Sequence, residues 1–273
     1  ALHVLTDRAT FLYVDGARYW FDTQASVTRT AKDYAERLHQ EDVWLEITNR
    51  LRVNELRVRG DFAAVHVTDD SAEVPDTGDA RLVILHPRVV HARRDEGSSA
   101  RLLAQKILDT RGSAQRINRN MLVFLAADAK RMEELAEAVR EYLAWNHISG
   151  RTEELDLSVQ QIKQVETRLT NADQAVDLRI PQTYYWAFVP DQLPGGPITW
   201  QEEKADGSGD RLAQRVSAKL RQRDALRVVQ AASVIRGNLD RELASVWAKG
   251  YISVEELWDY YCRYPYLPRL RDR

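Results

Sequence analysis

The sequence predicts an α/β protein: a mainly parallel sheet with flanking helices, preceded by a β-hairpin and helical segment and followed by a mostly helical region. Two observations lead there. Short apolar runs at 62–67, 81–85 and 121–126 alternate with amphipathic stretches at 98–110 and 129–146, and strand–helix–strand order implies right-handed crossovers between parallel strands. The run Met121-Leu122-Val123-Phe124-Leu125-Ala126 is apolar without interruption, as a strand covered on both faces must be.

The elements follow in order. Phe11-Leu12-Tyr13-Val14 and Arg18-Tyr19-Trp20-Phe21 flank Asp15-Gly16, a dipeptide that tolerates the positive φ of a tight hairpin turn. A helix over 23–40 carries Val27, Ala31, Tyr34 and Leu38 at helical spacing, and a second over 42–57 carries Val43, Ile47 and Leu51. A hairpin followed by helices suits either the wing of a winged-helix module or the rim of a larger ATPase core. Gly112 is placed to stop the helix over 98–110. In the helix after Asp128, Met132, Leu135, Val139 and Leu143 point inward. A long helix over 157–180 has Ile162, Val165, Leu169, Ala172 and Val176 as its apolar stripe, and Pro181 is expected to end it. Tyr184 to Val189 reads as a strand, turned by Pro194-Gly195-Gly196-Pro197 into a partner at 198–200, with 205–209 a flexible connection. Helices are expected over 211–222, 224–235 and 239–249, and a fourth opens at Ser253, which has capping-box spacing to Glu256. The chain thus divides into a hairpin plus helices (1–58), a parallel-sheet core (59–150), a long helix plus hairpin (151–206) and a basic helical region (207–273).

Composition narrows the function classes. Hydrophobic residues at 44% and charged residues at 29% are globular values. A net charge of −2 provides no whole-chain attraction for nucleic acid. Cys262 is the sole cysteine, which excludes an intrachain disulfide and a Cys–Cys zinc cluster. Flanked by Tyr260, Tyr261 and Tyr264, it reads as a packed small side chain. No apolar run of about 18 residues occurs, so no membrane span is expected and a cytoplasmic location fits. The first residues include no initiator Met or signal-peptide pattern, and the last stop without a tail, so an internal fragment of a larger soluble protein is expected.

Motifs for phosphate chemistry are missing: neither a Gly-x-x-x-x-Gly-Lys-Ser/Thr loop nor a Gly-x-Gly-x-x-Gly turn is present, so nucleotide hydrolysis by this stretch is not expected. Met121 to Asp128 has the look of a Walker B strand, although Asp128 reads better as the cap of the next helix. Arg116, Arg119 and Asn120 precede that strand and read as a solvated strand entrance, the alternative being contact with a phosphate or a neighbouring subunit. His86 follows the strand at 83–85, with His91 nearby, and ligands collect beyond the carboxyl ends of parallel strands. His86, Arg119, Asn120 and Asp128 therefore form a candidate ligand rim. His86 and His91 have no identifiable third ligand, so no metal is expected.

Charge is unevenly distributed. Residues 151–206 hold 5 basic and 10 acidic residues, net −5, whereas 211–273 hold 13 basic and 7 acidic, net +6. Arg211, Arg215, Lys219, Arg221, Arg223 and Arg227 make a candidate nucleic-acid contact. Docking of the same residues onto the acidic stretch or another subunit is the favoured alternative.

Several stretches carry a family resemblance: Tyr19-Trp20-Phe21-Asp22-Thr23-Gln24 with Val27-Thr28-Arg29, Arg119-Asn120-Met121-Leu122-Val123-Phe124-Leu125-Ala126-Ala127-Asp128, Tyr142-Leu143-Ala144-Trp145 and Tyr266-Leu267-Pro268-Arg269-Leu270. Nearly the whole chain resembles part of a family of very large bacterial AAA-type P-loop ATPases found beside DNA methyltransferases in phage-defence islands. These motifs have no known chemistry and identify kinship more than mechanism. The resemblance implies a region following the ATPase core, with ATP and magnesium expected for the parent and no cofactor for this stretch. It implies a non-catalytic accessory module that relays nucleotide state to a DNA-processing partner. The implied partners are the rest of its own ATPase chain, a DNA methyltransferase and DNA. The alternative is an enzymatic or ligand-binding site at the sheet rim around Asp128 and His86.

Overall fold

The computed structural model describes residues 12–15, 18–21, 26–248 and 250–272. Strands β1 (Leu12–Asp15) and β2 (Arg18–Phe21) pair antiparallel as the expected hairpin, with Asp15 in the strand opposite Arg18 and not in the turn. Its Gly16 turn, and residues 23–25 of the expected helix, lie outside the described residues.

Two compact units are present: the described residues up to Ile47 together with Glu133–Ile180, and Thr48–Met132 together with the described residues from Pro181 onward. Each is built from stretches far apart in sequence.

In the first unit, α1 (Val27–Arg37) is capped by Ser26, whose Oγ accepts from the Arg29 N–H at 3.2 Å. Its buried Val27 and Ala31 pack with Ala144, Trp145 and Ile148 of α4 (Ala129–Ser149) and with Val165 and Ala172 of α5 (Val159–Thr183). Pro181 does not end α5, which runs on to Thr183. Proline costs the helix its own N–H bond and crowds the carbonyl four residues before it, and here it falls in the last turn, two residues before the end. The helix α2 (Gln40–Glu55) begins in the first unit and ends in the second, and buries Val43, Ile47 and Leu51 completely, as its spacing requires.

The second unit contains the sheet. Strands β3 (Ala64–Thr68), β4 (Arg81–Leu85) and β8 (Leu122–Asp128) run parallel, and the short β5 (Val90–His91) pairs with the end of β8. Strands β9 (Tyr184–Gln192) and β10 (Ile198–Lys204) join β8 antiparallel, so the sheet is mixed, with order β10-β9-β8-β4-β3. Alternate residues Val83, Leu85, Phe124, Trp186 and Phe188 pack against Ala100, Leu103, Ala104, Ile107 and Leu108 of α3 (Ser99–Asp109). The interleaved Leu82, Ile84, Val123 and Leu125 are equally inaccessible, which explains the unbroken apolar run of β8.

Three sequence expectations are corrected. Gly112 is not the stop of α3, which ends at Asp109; its φ of +58° serves the turn between β6 (Thr110–Arg111) and β7 (Ala114–Gln115). No helix spans 224–235. After α6 (Leu212–Gln222) Asp224 adopts φ 57°, and the Ala225 N–H donates back to the Leu220 carbonyl at 2.8 Å, which terminates the helix. Arg227 then pairs its backbone with Arg269 and Arg271, and α7 begins only at Ala232, running to Arg241. In place of a continuous helix over 239–249, α7 ends at Arg241 and one separate turn follows, α8 (Ala244–Trp247). The last helix, α9 (Val254–Arg263), has the expected Ser253 cap, which accepts from the Glu256 N–H at 3.0 Å. Cys262 is buried on α9, and burial pushes its thiol up to about 12, in keeping with a packing role. No helix among the described residues is long and apolar enough to cross a membrane.

Candidate functional site

Because β5 pairs with Ala127 and Asp128, the loop after it leaves from the carboxyl end of β8. That is where open α/β sheets place their ligands. His91 anchors this loop. Its buried ring lies edge-on to Trp186 and Phe188, with Nδ1 2.7 Å from Ser98 Oγ and Nε2 2.9 Å from Glu202 of β10. A carboxylate only accepts, so Nε2 carries the proton toward it. The same Glu202 oxygen accepts from the Arg94 N–H at 3.2 Å, and Ser98 caps α3 by accepting from the Arg101 N–H at 3.3 Å. The loop is therefore held to β10 and to the start of α3.

Between these elements and α6 lies a cavity of about 420 Å³. Arg93 and Arg94 reach it from the loop, and Arg101 from the first turn of α3. Trp186 comes from β9, Trp200 and Lys204 from β10, and Lys219 and Arg223 from α6. Glu96, Glu202 and Glu203 stand among these cations. Some of the charge is compensated: Lys219 pairs with Asp206 at 2.8 Å and Arg223 with Glu203 at 3.1 Å. The Lys219 hydrogen bond holds the Asp206 carboxyl below its usual value. Arg93, Arg94 and Lys204 make no ion pair with any described residue. The Arg101 guanidinium lies 5.2 Å over the Phe188 ring and 5.5 Å over Trp200, and its Nη1 is buried with no hydrogen-bond partner. Desolvation pushes the Arg101 pKa down.

The chain matches no known family model, no curated protein and no solved structure. The site is read from its own geometry.

The candidate rim residues do not form one rim. His86 and Asp128 share the carboxyl side, whereas Arg119 and Asn120 precede β8, a seven-residue strand. At ~3.3 Å per residue that separates the two pairs by roughly 20 Å. Asp128 caps α4 by accepting from the Arg131 N–H at 3.1 Å, and its other oxygen accepts from Trp186 Nε1 at 2.9 Å. It thereby fixes a wall of the cavity. His86 Nδ1 accepts from the Arg88 N–H at 3.2 Å. Asn120 is wholly buried: Nδ2 donates to the carbonyls of Tyr261 and Leu267, and Oδ1 accepts from Arg269 at 2.9 Å. Arg119 donates to the Arg116 carbonyl at 3.3 Å and borders a second cavity with Arg263 and Tyr264. Arg116 is no solvated entrance. It is buried and donates to the carbonyls of Val74, Pro75 and Ile107 at 2.7–3.0 Å.

The six basic candidates of 211–227 likewise separate. Arg211 faces Glu55 at 3.8 Å, Arg221 pairs with Asp61 at 3.0 Å, and Arg227 with Asp224. Arg215 donates to the Pro181 carbonyl at 2.9 Å and the Gly209 carbonyl at 3.1 Å. Only Lys219 and Arg223 line the cavity, and their partners Asp206 and Glu203 belong to the acidic stretch. Arg93, Arg94, Arg101, Lys204, Trp186 and Trp200 escape sequence reasoning. The adjacent arginines after His91 are a signal, but the strand that completes the site lies 111 residues beyond that histidine.

Proposed function

We propose that this chain is a non-catalytic interaction module of a large P-loop ATPase of the defence-associated kind it resembles, relaying nucleotide state to a DNA-processing partner. The observation that carries this reading is the internal use of the polar groups around β8. Asn120 and Arg269 bind the amino end of β8 to α9, the Ala225 turn and the Pro190 carbonyl of β9, while Asp128 binds its carboxyl end to α4 and β9. Polar side chains so engaged make the sheet and the C-terminal segment one mechanical piece, suited to passing on a displacement. In the intact ATPase, disrupting the module is expected to leave ATP hydrolysis in place and abolish its coupling to the methyltransferase or other DNA-processing partner. Partner activity that still follows ATP turnover without the module would sink the reading.

A ligand site at the sheet rim is the second reading. The 420 Å³ cavity favours it, since Asp128 itself holds the Trp186 wall.

A further inference from the structure

We propose that the cavity between the 92–97 loop, β10 and α6 binds a compact phosphorylated anion carrying at least two negative charges, the class that includes diphosphates and phosphorylated metabolites. Its volume of about 420 Å³ lies within the ~300–1,000 Å³ range of small-molecule sites.

Charge selects the ligand. Arg93, Arg94, Arg101 and Lys204 converge on this concave surface, and Arg93, Arg94 and Lys204 have no ion-pair partner among the described residues. Two of the three carboxylates lining the cavity are engaged, Glu202 with His91 and the Arg94 N–H and Glu203 with Arg223, and with Glu96 they leave the six cations of the lining in excess. Cations gathered in a cleft repel one another and focus a positive field into it, and a small anion relieves that repulsion.

Arg101 makes the choice more specific. Its guanidinium lies over the Phe188 and Trp200 rings, with Nη1 enclosed and without an acceptor. A planar guanidinium matches the oxygens of a phosphoryl group through the nitrogens it presents. An oxyanion seated in the cavity accepts from the guanidinium nitrogens that remain open to it, Nη1 itself being enclosed.

The same walls argue against two other ligands. Both indole N–H groups are taken, Trp186 by Asp128 and Trp200 by Gln105 at 2.8 Å, so neither is free to read a base edge. Glu96, Glu202 and Glu203 interrupt the positive surface, which disfavours a long polyanion lying across it and favours a compact one seated between them.

Titration calorimetry of the purified chain with pyrophosphate at low salt tests the proposal without the ATPase or any partner protein. Its failure therefore leaves the interaction-module reading untouched. One site per chain with a micromolar Kd is expected, weakened at least tenfold by Arg94→Gln and by Arg101→Gln. Arg236→Gln, which removes an arginine that pairs with Asp240 on α7 and does not line the cavity, should bind as the parent chain does. Arg94 sits on an exposed loop, so its variant keeps the test informative if Arg101→Gln proves unstable. No heat at millimolar pyrophosphate, equal binding by the Arg94 variant, or duplex DNA binding in the absence of pyrophosphate binding would each overturn the assignment.

Discussion

His66 shows how one ring on β3 couples stability to pH. Its Nε2 lies 3.2 Å from Arg81 Nη1, and an arginine only donates, so the imidazole accepts there and must be neutral. Burial first, and the Arg81 and Arg116 charges second, lower its pKa to about 4. An unfolded histidine titrates near ~6.5, so between those values the unfolded chain binds the extra proton. The stability His66 contributes is present above pH ~6.5 and is lost as pH falls toward 4. His66→Gln keeps an acceptor for Arg81 and removes the titration. Its melting temperature should therefore fall less than the parent's between pH 7 and pH 4.5, and parallel curves would refute the account. Arg269 illustrates a different solution to burial. It is 4% exposed, and desolvation pulls its pKa down to about 10, yet it stays charged at neutral pH. Carbonyls of Asn120, Ala225 and Pro190, with Asn120 Oδ1, surround its guanidinium and take the donors that water would otherwise satisfy.

Among the elements, α6 depends on what docks at its flank and its start. The Asp61 N–H donates to Ser217 Oγ at 2.8 Å, and the Leu212 N–H at the helix start donates to the buried Glu55 carboxylate at 2.9 Å. A carboxylate there also complements the helix dipole. The first contact requires Gly60. With φ at +58°, a Cβ at this position would lie 2.4 Å from Ser217 Oγ and 2.7 Å from the Ala213 carbonyl oxygen. Gly60→Ala adds backbone strain to that overlap and is expected to destabilise the protein by about 2 kcal/mol or more. Chemical denaturation measures it, and an unchanged midpoint would show that the loop is not pinned to the helix.

At the scale of the whole molecule, neither unit is a continuous piece of chain. The segment 59–150, which composition marks as a core, contains β8 but lacks β9, whose Trp186 and Phe188 complete the cluster around Phe124. It also contains Trp145 and Ile148 but lacks Val165 and Ala172, with which they pack. Expressed alone, 59–150 is expected to show no cooperative melt by circular dichroism, because it exposes both cut cores to water. A sharp transition would contradict the unit boundaries. The candidate cavity has the same character, being formed only when β10 and α6 meet the loop after β5.

By itself the sequence determined what local periodicity and capping decide. The strands read at 81–85 and 121–126, the helix after Ser98, the Asp128 and Ser253 caps and the packed Cys262 are all legible, because each depends on neighbours within a few residues. Lys219 and Arg223 are legible as members of a basic stretch, though not as parts of a cavity. Tertiary structure alone decided that Asn120, Arg116 and Arg269 are internal, since an isolated asparagine or arginine in sequence does not reveal which carbonyls will surround it. It also decided that β9 and β10 extend the sheet antiparallel, and that Glu202 meets His91 across 111 residues. Hydrogen-bond satisfaction and charge compensation are properties of groups brought together by folding, so the pattern of unpaired cations that marks the site exists only in three dimensions.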